Sequence, residues 1–194
     1  DTFPEMQFSF RAFDSSTYEV PQNLLASEIS VIDNGKSVNP RSLSQFGDLG
    51  INIVFVIDQG NRTDIKVTKA ILERFTSKYM VDGLDQVSIL TTLINNKRSN
   101  AWTLLDTTNS VTDAQSAISE ISDKQNDEYI GIDDTLREAI NKVQAANLDC
   151  KTPSMIVVIM GPDEISGTQT IQNSIANARS IGVPIHVLHV ERSG

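Results

Sequence analysis

The spacing of hydrophobic positions changes once along the chain, near residue 50. Before that point "MQFSFRAF" alternates Phe8, Phe10 and Ala12 with Gln7, Ser9 and Arg11, the period of two that predicts a half-buried strand. "SEISVIDNGKSVN" then sets Asn34-Gly35 between Ser30-Val31-Ile32 and Lys36-Ser37-Val38. Asn-Gly between two such runs is the strongest short hairpin signal, because both turn residues must adopt positive φ. Residues 6 to 40 therefore read as a small antiparallel β unit. "NPRSLSQFGDLG", with Pro40, Gly47 and Gly50, reads as the joint between this unit and the rest of the chain.

From residue 51 strands alternate with helices. Residues 51 to 57 are almost continuously apolar, as expected of a strand covered on both faces. Val67, Ile71 and Phe75, with Ala70 and Leu72 beside them, predict a helix over 64 to 80 whose start is favoured by Asp64 and whose unit ends at Gly83. "DQVSILTTLIN" at 85 to 95 is the next strand, and "NAWTLLDTT" at 100 to 108 a short antiparallel neighbour. Thr112 or Asp113 caps a helix carrying Ala114, Ala117, Ile118 and Ile121, and "DDTLREAINKVQAAN" comes next with Leu136, Ile140 and Val143 on one stripe. "SMIVVIM" is a buried strand, "TIQNSIANARSIG" a helix with Ile171, Ile175 and Ala178 at helical spacing and Gly182 as its stop, and "VPIHVLHV" the last strand.

This order, β-α-β-β-α-α-β-α-β, is that of an α/β protein: a doubly wound, mainly parallel sheet flanked by helices, Rossmann-like, with one short antiparallel strand. The expected domains are an N-terminal β extension with its hairpin over 1 to 50 and an α/β domain over 51 to 194. The last strand should be buried on both faces and would need a further helix beside it, so the natural protein is expected to continue past Gly194.

Composition narrows the function. Asp and Glu outnumber Lys and Arg by 25 to 16, a formal charge of -9, which argues against a nucleic-acid surface because phosphate binding needs a basic face. No apolar run approaches the ~18 residues of a membrane span. The lone Cys150 excludes an internal disulfide and reads as a small packed thiol in a polar loop. No Gly-x-Ser-x-Gly nucleophile elbow, Gly-x-Gly-x-x-Gly turn or phosphate loop is present, which weakens hydrolase and nucleotide readings. His186 and His189, three apart on one strand, point to opposite faces and cannot converge on a metal. Trp102, the only tryptophan, reads as packing before it reads as an exposed partner anchor.

The apolar strand ending in Asp58 within "VFVIDQGNR", the "DDTLREAI" helix start, the "MIVVIM" strand and the closing "ARSIGVPIHVLHV" together resemble the von Willebrand factor type A domain, over roughly residues 51 to 190. The β unit before it is similar to the extension found in some bacterial secreted or envelope proteins. The resemblance implies a divalent-cation site built from an Asp-x-Ser-x-Ser loop, a threonine before a later helix, and an aspartate after the fourth strand. Aligned on Asp58, the two serine positions fall on Gly60 and Arg62; the threonine falls on Ile130 and the aspartate on Gly161 or Pro162, with Asp163 arriving late. Mg²⁺ needs several oxygens from separate loops, and one carboxylate does not replace its hydration shell. Arg62 is permanently cationic and can stand in for the ion against Asp58.

The expected function is thus a non-enzymatic protein-interaction or adhesion module without a functional metal site and without a cofactor, extracellular or in the cell envelope, binding an unidentified protein partner. The partner-binding rim would be drawn from Asp127, Glu128, Asp133, Asp163 and Glu164, with Asp123 and Asp134 nearby, although such a set is also what a solvated loop face looks like. Two alternatives stay open. One is weak Mg²⁺ or Ca²⁺ binding through Asp58, Asn61 and Asp163; the other is a hydrolase or nucleotide-dependent enzyme on a doubly wound sheet, since fold does not fix function.

Overall fold

The computed structural model describes residues 15–16, 24–40, 50–59, 63–92, 102–121, 131–146, 152–162 and 169–191. The chain divides into two compact units, Asp1–Asp48 and Leu49–Gly194.

In the first unit, β1 (Val31–Asp33) pairs antiparallel with β2 (Lys36–Val38), and the pair Asp33↔Lys36 closes a two-residue turn. Asn34 and Gly35 take φ values of 47° and 78°, the left-handed pair that this turn demands. A short 3-10 turn, Ala26–Glu28, precedes the hairpin. The strand expected in "MQFSFRAF" lies outside the described residues.

The second unit runs β3 (Asn52–Ile57), α1 (Ile65–Lys78), β4 (Gln86–Thr91), β5 (Trp102–Thr108), α2 (Val111–Glu120), α3 (Ile132–Ala146), β6 (Ser154–Met160), α4 (Gln169–Ser180) and β7 (Ile185–His189). The sheet order is β5-β4-β3-β6-β7, with β5 antiparallel to β4 and the remaining pairs parallel. The element order is the one the sequence predicts, and the chain doubles back at β3, whose neighbours are β4 and β6. Every residue of β3 is buried. Ile53, Phe55 and Ile57 enter one core with Leu72, Ile89 and Ile118, while Val54 and Val56 enter a second with Leu136, Ile140 and Ile156. Two helical layers therefore cover the two faces, as a doubly wound sheet requires. Phe55 meets the Phe75 ring edge-on at 5.3 Å, fixing α1 to the first face.

Several expectations are corrected at this level. On α1 the buried line is Thr68, Leu72 and Thr76, whereas Val67 is 44% exposed. The hydroxyls explain it: Thr68 Oγ1 donates to the Asp64 carbonyl at 2.9 Å and Thr76 Oγ1 to the Leu72 carbonyl at 3.1 Å, so both side chains enter the core with their polar atom satisfied. On α4 the buried line is Ile171, Ser174 and Ala178, and Ile175 is 47% exposed; α4 packs against α3, and Ala178 enters the second core. The cap of α2 is Ser110, whose Oγ accepts the Asp113 amide at 3.1 Å, ahead of the expected Thr112 or Asp113. The strand expected over 85 to 95 is regular only to Thr91, and 93 to 95 lie outside the described residues. β7 is not buried on both faces. It is an edge strand, and Val187 and Leu188 are 48% and 39% exposed on opposite sides of it. Gly83 and Gly182 end their helical units at φ 77° and 70°.

A candidate site at the carboxyl ends of the strands

Parallel strands deliver their following loops to one end of the sheet, and ligand chemistry in open α/β folds gathers where the strand order reverses. Here that place lies beyond β3 and β6. Asp58 comes directly after β3 and is held there by its own amide, which donates to the Ile159 carbonyl of β6 at 2.8 Å. The residue is 2% exposed.

Thr92, the residue after β4, donates from Oγ1 to Asp58 Oδ1 at 3.2 Å and accepts the Gln59 amide at 2.9 Å. The Thr92 amide donates to the Ile57 carbonyl at 3.0 Å. One hydroxyl thus satisfies both an acidic oxygen and a backbone donor in the turn that leaves β3. Across the sheet Gly161, the residue after β6, donates its amide to Thr63 Oγ1 at 2.8 Å. Thr63 is 4% exposed and forms an isolated antiparallel bridge with Glu191, just past β7. Asp64 donates its amide to the Val190 carbonyl at 3.2 Å, and its Oδ1 caps α1 by accepting the Val67 amide at 3.1 Å. Four adjacent strand ends are therefore tied together through Asp58, Thr63, Asp64 and Thr92.

Of the residues marked by the sequence, the structure brings Asp58 and Gly161 to this end. Asp133 and Asp134 start α3, where Asp134 Oδ1 pairs with Arg137 at 2.7 Å along the exposed helix surface. Gly60, Asn61, Arg62, Asp123, Asp127, Glu128, Ile130, Cys150, Asp163, Glu164 and the Trp102 side chain lie outside the described residues. His186 and His189 stand opposite Val157 and Met160 in the β6 register, so they face different sides of the sheet and do not converge. Sequence reasoning missed Thr63 and Thr92. Their signal is weak: a threonine within a few residues of a strand end is common, and only the fold sets each one against a loop remote in the chain.

The described residues do not fit the divalent cation that the resemblance implies. The ion needs an octahedral set of oxygens, while Asp58 Oδ1 accepts from Thr92 and Asp64 Oδ1 is occupied in capping α1. Thr63 Oγ1 accepts from Gly161, and neither Gly161 nor Pro162, the two residues on which the resemblance puts the aspartate, has a side-chain oxygen to offer. Among the described residues, no three His, Cys, Asp or Glu side chains form a group able to hold a metal ion.

In fold, the chain is similar to several solved structures. An aerotolerance-related membrane protein from Bacteroides fragilis matches with TM-score 0.55 and 18% identity, covering 73% of this chain and 68% of that one. The conserved hypothetical protein BatB from Bacteroides thetaiotaomicron matches with TM-score 0.52 and 19% identity over 72% of this chain and 66% of its own. A von Willebrand factor type A protein from Catenulispora acidiphila matches with TM-score 0.55 and 12% identity; the match covers 72% of this chain and spans only 33% of that one. No family model matches the sequence, and no curated protein matches it. The likeness establishes a von Willebrand factor type A-like α/β fold.

Proposed function

We propose that this chain is a non-enzymatic protein-interaction or adhesion module whose carboxyl-end site works without a metal ion or other cofactor. The observation that best supports this reading is the engagement of Asp58. The carboxylate that would anchor a cation is buried and accepts a hydrogen bond from Thr92, and the loop beyond β6 offers Gly161 where an acidic ligand would stand. Arg62 adds a permanent positive charge to the same loop in sequence, and in this reading it serves Asp58 as an internal counter-charge.

Recognition would then rest on surface complementarity of the loop rim, with Asp127, Glu128, Asp133, Asp163 and Glu164 as its acidic contacts, and not on a cation bridging to a partner's carboxylate. The fold likeness to proteins of this class supports a protein partner. No helix among the described residues is long and apolar enough to cross a membrane. An extracellular or envelope location is supported by the Bacteroides fragilis neighbour, which is described as a membrane protein.

Calorimetric titration with Mg²⁺, Mn²⁺ and Ca²⁺ tests the metal-free part, and no saturable binding in the micromolar range is expected. Micromolar binding that Asp58→Ala abolishes would replace this reading with the weak-cation alternative through Asp58, Asn61 and Asp163. Partner capture on the immobilised chain should persist in EDTA and be lost on charge reversal at Asp133 and Asp134. Capture that needs the cation would count against it.

A further inference from the structure

The ties at the carboxyl ends of the strands do specific work. Regular pairing of β3 with β4 ends at Ile57↔Thr91, and Thr92 extends the connection by one more residue through its hydroxyl, to Asp58 and to the Gln59 amide. Pairing of β3 with β6 ends at Ile57↔Ile159, and the contact from the Gly161 amide to Thr63 Oγ1 resumes it across 98 positions of sequence. Both threonines are buried. In a buried setting an amide without an acceptor is costly, so the oxygen of each threonine matters more than its methyl group.

The cation implied by the resemblance would join the loop after β3 to the loop after β6. In this chain the same two loops are joined by a protein hydrogen bond. The Gly161 amide donates, and the Thr63 hydroxyl on the facing loop receives it. A ligand shifts a conformational equilibrium only by its differential affinity for the two states, and oxygens committed in this way, Asp58 Oδ1, Thr92 Oγ1 and Thr63 Oγ1, leave a cation little with which to distinguish them.

We propose that Thr63 and Thr92 are positioning residues that clasp Asp58, Gln59 and Gly161, where the chain leaves β3 and β6, in a single arrangement without a divalent cation. That no cation is needed rests on the metal-free reading above; the clasp itself rests on the hydroxyl contacts.

Amide hydrogen exchange of the full chain tests it, read at Gly161 and Gln59 in EDTA and in Mg²⁺ or Ca²⁺. In the unsubstituted protein both amides exchange at the same slow rate with or without cation. Thr63→Val, which keeps the shape and removes the acceptor, speeds Gly161 about tenfold and leaves Gln59 unchanged, and Thr92→Val does the converse. Thr63→Ser keeps the oxygen and preserves slow exchange at Gly161, which keeps the test decisive should the valine variant not fold; fast exchange in the serine variant would overturn the clasp. Unchanged Gly161 exchange in folded Thr63→Val, with no cation effect, would overturn the clasp and leave the metal-free reading standing. Protection at Gly161 that rises with Mg²⁺ in the unsubstituted chain would overturn both.

Discussion

The amide of Ile51 donates to Asp85 Oδ1 at 2.9 Å, while Oδ2 of the same carboxylate accepts the amide of Val81 at 2.8 Å. Asp85 is fully buried between the end of α1 and the start of β4, and it closes the amino end of the sheet as the two threonines close the other. Replacing Asp85 by Ala leaves two backbone donors without this acceptor. At roughly 1–3 kcal/mol for each buried unsatisfied group, a loss of about 2–4 kcal/mol is expected in urea denaturation. Asp85→Asn retains an acceptor oxygen and should fall between.

Beside that carboxylate the chain passes very close to itself. A Cβ placed on Gly50 would lie 2.0 Å from the Leu84 carbonyl oxygen, a backbone atom that cannot swing aside. Gly50→Ala therefore has to separate the entry to β3 from the entry to β4, with an expected cost of about 1–3 kcal/mol. Thermal denaturation checks it, and an unchanged midpoint would mean that the two backbones are not held this closely.

Lys69 reaches from α1 to the end of α2, where Nζ donates to the carbonyls of Ser119 at 2.9 Å and Ile121 at 3.2 Å. A cation there answers the unpaired carbonyls and the negative end of the helix dipole. Lys69→Met keeps most of the stem and removes the charge, so a loss of about 0.3–1 kcal/mol is expected. Faster amide exchange should be confined to the last turn of α2; a loss spread over the sheet would contradict this assignment.

The Asp106 carboxylate on β5 lies 2.7 Å from Lys142 Nζ on α3. The Lys142 hydrogen bond, then the Thr107 amide, hold its pKa below the ordinary value of 3.8. A depressed carboxylate contributes stability that is fully present above the unfolded pKa and is lost as pH falls through the lower folded value. The loss therefore sets in as pH falls toward 3.8 and is complete only below the lowered folded value, and on so exposed a group it is small and screened by salt. Carboxyl titration by NMR should show the Asp106 midpoint rising in Lys142→Met, with no change in stability at neutral pH beyond the lost contact itself.

Val187 and Leu188 make a contrasting case, because their exposure on β7 means that little apolar area is lost when they change. Leu188→Lys should alter stability by no more than about 0.5 kcal/mol, and a charge on an edge strand should also reduce self-association in light scattering. A larger destabilisation would show that β7 is covered in solution.

Much of the architecture is legible in the sequence because it depends on local patterns. Asn34-Gly35 specifies its turn through positive φ, and Gly83 and Gly182 end their units for the same reason. The almost continuous apolar run of β3 announces burial on two faces, and the stripes on α2 and α3 point inward where their spacing places them. Val67 and Ile175 mark where periodicity stops being informative. It locates a helix but sets its rotation only to within a residue, and a threonine bonded to its own helix, or a small residue at a close contact, can displace the larger apolar side chain outward.

The candidate site divides along the same line. That Gly60, Ile130 and Gly161 carry no side-chain oxygen and Arg62 a cation is read directly from the sequence; that they stand at ligand positions is what the resemblance implies. What only the tertiary structure decided is where the surviving polar groups go: Thr92 to Asp58, Thr63 to Gly161 and Asp85 to Ile51, over 34, 98 and 34 positions of chain. Local propensities are set by neighbours a few residues apart, whereas a buried amide and the acceptor that satisfies it meet only after the strands have been laid side by side.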